Sequence, residues 1–98
     1  MDNQHRKIKG YRELTQQEID LMNQIKSKGA ELLALQNELV ERLVSLRQEL
    51  VLTVGSDNAD DFERYESAEP LRWAAIGKTD IQTGVMALVR AVAMPVGV

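Results

Sequence analysis

The chain has no cysteine, a single histidine, two prolines and only four aromatic residues among 98. Without cysteine there is no disulfide, no thiolate metal site and no thiol nucleophile. His5 alone cannot build a histidine-rich metal centre or a Ser-His-Asp triad, and it reads as an exposed tail residue. Aromatics make up 4% of a chain that is 44% hydrophobic. A core of Leu, Val, Ile, Met and Ala without large rings points to packed helices rather than a β-sandwich. Long apolar runs are missing too: the most apolar segment, GVMALVRAVAMPVGV, is shorter than a span and carries Arg90 in its middle. The amino terminus is polar and gives no secretory signal. The expected location is the cytoplasm, with no membrane partner.

Excess positive charge is also lacking. Net charge is −3, from 12 Lys and Arg against 15 Asp and Glu, which argues against long nucleic acid held by a basic face. The charge is unevenly spread, however. HRKIKGYRELTQQEID, residues 5–20, sets Arg6, Lys7, Lys9 and Arg12 around Gly10 and Tyr11, whereas residues 57–69 hold six carboxylates and one arginine. Anion binding, if present, is therefore local.

Thr15 followed by Glu18 has capping-box spacing. From there to about Leu52 no proline occurs, and Met22, Ile25, Gly29, Leu32, Gln36, Leu39, Leu43, Leu46 and Leu50 alternate by three and four. The spacing predicts one helix roughly 55 Å long, with Leu33, Val40 and Val44 widening the stripe so that it meets more than one neighbour. Gly55 is placed to cap this helix, and Asp57 or Asn58 to start the next, which carries Phe62 and Tyr65. Pro70 marks a kink or restart. A third helix is expected from KTDIQ, where Thr79 and Gln82 repeat the capping-box spacing, with a break near Gly77 and a stop at Pro95. The expected fold is all-α: a long helix and an interrupted return arm forming a helical hairpin over residues 15–98, preceded by a basic leader over residues 1–14. Stripes this wide cannot cover each other in one small chain, so a homo-oligomer is expected.

Two readings of the leader stand. It is a solvated basic tail, or it is an anion site with a stacking ring: tyrosine offers a face to a nucleobase, Lys9 and Arg12 offer charge to phosphate, and Gly10 lets backbone approach a ligand. Lys26 and Lys28 form a second basic spot beside Gly29, whose place in the helix costs about 1 kcal/mol relative to alanine. Gly29 marks either a close helix crossing or room for a ligand. Lys26 lies roughly 16 Å along the helix from Thr15. In an antiparallel pair of subunits, one Tyr11 meets the other subunit's Lys26, and a two-fold axis supplies the pair twice. That arrangement suits a ligand with two bases and two phosphates. Arg72 and Trp73 offer another cation and ring, with Trp73 expected in the core. No phosphate loop, metal-ligand spacing, nucleophile elbow or general base is present, so neither catalysis nor a cofactor or metal is expected.

IKGYRELTQQEIDLMNQIKSKGAEL together with RWAAIGKTDIQTGVMALVRAVAMP resembles the small phage anti-CBASS proteins, which share a helical hairpin with phage anti-Thoeris sponges. The resemblance covers nearly the whole chain. It implies a homohexamer that sequesters cyclic oligonucleotide second messengers without cleaving them and so starves the bacterial CBASS effector. Family members bind cyclic dinucleotides such as cyclic GMP-AMP between subunits, and some take cyclic trinucleotides at separate sites. The family's dinucleotide contacts fall on Tyr11 and Lys26, with Lys9, Gly10 and Arg12 beside Tyr11. For a trinucleotide site the resemblance carries over Arg72, with Lys28 and Gly10. The competing expectation is a structural or adaptor oligomer whose leucine face binds another coiled coil. That reading accounts for the leucines but not for the Gly-Tyr among four cations.

Overall fold

The capping box forms as its spacing requires. In the computed structural model, which describes residues 12–53 and 59–96, the Glu18 amide donates to Thr15 Oγ1 at 3.2 Å and the Thr15 amide donates to Glu18 Oε1 at 2.9 Å. Two of the donors left over at the helix start are thereby satisfied. From this cap α1 runs unbroken over Gln16–Leu52. The regular structure among the described residues is all helix, adding α2 (Ala59–Ala68) and α3 (Pro70–Ala93).

Backbone proximity divides the chain into two units: Met1–Glu31 with Ile81–Val98, and Leu32–Asp80. In the first, the start of α1 runs antiparallel to the end of α3. Gly29 is buried there because a side chain would not fit: a Cβ on it would stand 2.5 Å from Val85 Cγ2. Of the two readings of Gly29, the structure gives the close crossing.

In the second unit the later part of α1 meets α2 and the start of α3, again antiparallel. The Tyr65 hydroxyl donates to the Leu43 carbonyl at 2.8 Å, Arg47 pairs with Glu66 at 3.3 Å, and Gln36 Nε2 donates to the Ala74 carbonyl at 3.0 Å. Gln36, a weak point in the leucine stripe, thus has a hydrogen-bonding role there. Leu50, Tyr65 and Ala74 are the buried hydrophobic residues among those described. The inward stripe also drifts from the expected heptad. Leu33 and Val40 turn partly inward, while Leu32, Leu39 and Leu35 remain about half exposed.

Two expectations are corrected. The return arm does restart at Pro70 as expected, with the break at Glu69, but the further break expected near Gly77 is absent from α3. Glu69 adopts φ 49°, and Pro70 opens α3 with its fixed φ and absent donor. The Glu69 amide still donates to the Tyr65 carbonyl, and its own carbonyl accepts from the Arg72 and Trp73 amides. One residue therefore ends α2 and caps α3. Past it, Gly77 and Thr79 lie inside a continuous helix, and the Thr79 hydroxyl donates back to the Ala75 carbonyl at 3.4 Å, as a threonine in a helix interior does. Trp73 is 60% exposed rather than in the core, because Leu71 and Ala74 occupy the inward side of that turn.

α3 stops ahead of Pro95, as expected. Met94 takes φ 51° and its amide donates to the Arg90 carbonyl at 2.8 Å. No helix among the described residues is long and apolar enough to cross a membrane. Gly55, Asp57 and Asn58 lie outside the described residues.

Candidate functional site

The expected ligand groups come from the leader and from the first half of α1. Of the leader, Arg12 is described; His5, Lys9, Gly10 and Tyr11 lie outside the described residues. Arg12 is closely held. Its Nε donates to the Ala93 carbonyl at 3.2 Å, one terminal nitrogen donates to Glu18 Oε1 at 3.1 Å, and the other donates to Glu18 Oε2 and to the Val92 carbonyl, the latter at 2.7 Å. The two carbonyls belong to the last turn of α3, where backbone acceptors lack partners within the helix and negative partial charge accumulates. The guanidinium therefore closes the end of one helix while gripping the capping carboxylate of another.

The electrostatics agree with the geometry. The Arg12 hydrogen bonds and the Thr15 amide hold the Glu18 carboxyl down from 4.5 to about 2. Hydrogen bonding to Glu18 in turn raises the Arg12 guanidinium above its ordinary value. With its charge countered and most of its donors engaged, Arg12 retains little grip for a phosphate.

Lys26 differs. It stands exposed on α1 one turn before Gly29 and makes no hydrogen bond or ion pair with any described residue. Its ammonium is a point charge on a flexible stem, suited to an anion arriving from outside the chain. Lys28 is also exposed but pairs with Glu31 at 3.4 Å. Both lysines lie in the first unit.

Arg72 lies in the second unit. Its guanidinium stands 5.3 Å from the centre of the Trp73 ring and 3.7 Å from a Glu69 oxygen. The expected cation-and-ring pair does form there, on the surface. The same unit has an open groove of about 330 Å³, whose apolar lining includes Leu43, Leu46, Leu50, Tyr65 and Pro70, with Asp61 and Arg64 among the polar residues around it. Among the described residues no three His, Cys, Asp or Glu side chains gather in a way that could hold a metal ion.

Sequence reasoning missed the Arg12 clasp. Capping-box spacing identifies Glu18 as a helix start, but nothing in it reveals that the same carboxylate also receives a guanidinium lodged on carbonyls 80 residues downstream.

Two comparisons with known proteins bear on this arrangement. The family described as the Acb2/Tad1 hairpin domain matches residues 3–93, a span that includes the first block on which the resemblance rests and all but the last two residues of the second. The chain is also 59% identical, over 107 aligned positions, to anti-CBASS protein 2 of Pseudomonas phage JBD67, with 99% of each chain covered.

Proposed function

The chain belongs to the Acb2/Tad1 hairpin-domain family, and from that premise we propose that it is a phage-encoded anti-CBASS protein that binds cyclic oligonucleotide messengers and holds them uncleaved. The observation that carries this reading is the end-to-end likeness to a phage anti-CBASS protein. Two residue-level features support the chemistry: a leader with Tyr11 among four cations, and Lys26 exposed with no anionic partner among the described residues. In this reading Tyr11 stacks on a base of a cyclic dinucleotide and Lys26 neutralises its phosphate. Lys9 and Gly10 line the approach, and neighbouring subunits of a homohexamer complete the site. Leu32, Leu35, Leu39 and Leu46 stand exposed on α1 and supply surface for such assembly. Arg72, with Lys28 and Gly10, is the proposed set for a separate cyclic trinucleotide site. The work is done in the cytoplasm of the infected host.

Calorimetry with 3′,3′-cyclic GMP-AMP tests the proposal. Stacking contributes on the order of 1–3 kcal/mol per base, and a ligand between two subunits meets two tyrosines. Tyr11→Ala should therefore weaken binding by about two orders of magnitude or more, with the oligomer intact. Unchanged affinity refutes the site. The exposed leucines favour a second reading, an adaptor oligomer that docks a partner coiled coil. It predicts no thermal shift with any cyclic di- or trinucleotide.

A further inference from the structure

The four contacts of Arg12 bear on how the leader is presented. Residues 12–15 precede α1 without regular structure, and such a segment is ordinarily free to swing about the helix start. Here its first described residue is fixed from two sides. Glu18 holds it to the first turn of α1, and the Val92 and Ala93 carbonyls hold it to the last turn of α3. Glu18 is fixed in its turn by the Thr15 amide. All of these groups lie within one unit, so the clasp is a local device. An anchor at Arg12 restricts the conformations open to the residue bonded to it, which lowers the entropy lost on binding.

We infer that Arg12 is a positioning residue: its clasp with Glu18 and the end of α3 presets the leader so that Tyr11 meets the nucleotide, while Arg12 itself does not touch it. This rests on the sponge reading above and deepens it by reassigning Arg12 from phosphate ligand to anchor. The charge balance fits. The Arg12 cation is countered within the chain, whereas Lys26 has no anion among the described residues to counter it.

A double-mutant cycle on the full chain separates the roles. Binding of 3′,3′-cyclic GMP-AMP is measured for the wild type, Tyr11→Ala, Arg12→Lys and the double variant. Lysine keeps the charge, but its single nitrogen cannot span Glu18 and both carbonyls. Arg12→Lys should weaken binding about tenfold when Tyr11 is present and by less than about twofold when it is alanine, the behaviour of residues acting as one unit. Glu18→Gln, which weakens the clasp from the α1 side and leaves the leader's own sequence unchanged, should show the same dependence on Tyr11. Helix content by circular dichroism at the titration temperature keeps simple unfolding apart: a loss that follows helix content and not Tyr11 overturns the inference. Equal losses in both Tyr11 backgrounds, the mark of a direct ligand contact, also overturn it while leaving the sponge reading intact. If Tyr11→Ala binds as tightly as the wild type, the site reading fails and the inference falls with it.

Discussion

Replacing Gly29 by alanine adds one methyl group, and the structure fixes the sign of its effect. In an open helix position the change stabilises by about 1 kcal/mol, because glycine is the poorer helix former. At Gly29 the new Cβ would stand 2.5 Å from Val85 Cγ2 and 3.6 Å from Val85 Cβ and Cγ1. Valine is stiff at χ1 inside a helix and cannot swing aside, so α1 and α3 must part locally. Overpacking of this kind costs about 1–3 kcal/mol. The net effect is a destabilisation of about 0–2 kcal/mol, near neutral at the low end. Gly84 is the internal control, since nothing stands within 4 Å of a Cβ built there. Gly84→Ala should stabilise by about 1 kcal/mol, and the difference between the two variants isolates the clash from propensity. Differential scanning calorimetry at fixed protein concentration reads it: each kcal/mol moves Tm by about 4–8 °C in a domain this size. Gly29→Ala should be milder in a Val85→Ala background, where the obstructing methyls are gone. A Tm rise for Gly29→Ala equal to that for Gly84→Ala refutes the close crossing.

Other expectations follow from single contacts. Tyr65→Phe removes the hydroxyl that donates to the Leu43 carbonyl and should cost about 1 kcal/mol, seen as a lower urea midpoint with unchanged slope. The Glu18 carboxyl is held at about 2 in the fold against an ordinary 4.5, so its contribution is present above pH 4.5 and lost as pH falls toward 2. Glu18→Gln should flatten stability against pH across that acid window and lower it at neutral pH; an unchanged acid limb contradicts the clasp. Leu32→Asp with Leu39→Asp places charge on the exposed face of α1. In the proposed homo-oligomer it should lower the mass read by light scattering without loss of helix, each buried leucine being worth about 1.5–3 kcal/mol.

The helix starts and stops that depend on local chemistry were legible in the sequence. Thr15 and Glu18 cap α1, Pro70 opens α3 and Pro95 lies just beyond its end, because each acts on backbone groups within a turn of itself. The false break near Gly77 came from setting the phase of the return arm by Phe62 and Tyr65, which belong to α2. Leu71, Ala74, Ile81, Val85 and Val92 keep their own three-four spacing straight through Gly77. Pro70 signals the real break, but not that Glu69 takes a positive φ there, an uncommon state for glutamate. Trp73, expected in the core, stands outside because Leu71 and Ala74 take the inward side of that turn.

The candidate site was legible as residue types and less so as geometry. Exposed Lys26 follows from its place off the stripe. Arg12 reads as one more leader cation until the carbonyls of Val92 and Ala93 are brought beside it. A contact between residues some 80 positions apart is set by tertiary packing, not by spacing.

The central claim is that the chain retains a cyclic nucleotide and leaves it whole. Its most direct test is to saturate the purified protein with 3′,3′-cyclic GMP-AMP, remove free ligand, denature by heat and analyse what is released. The account predicts stoichiometric recovery of the intact cyclic dinucleotide from the wild type and little from Tyr11→Ala. Linear or hydrolysed product, or no retained nucleotide at all, would contradict it.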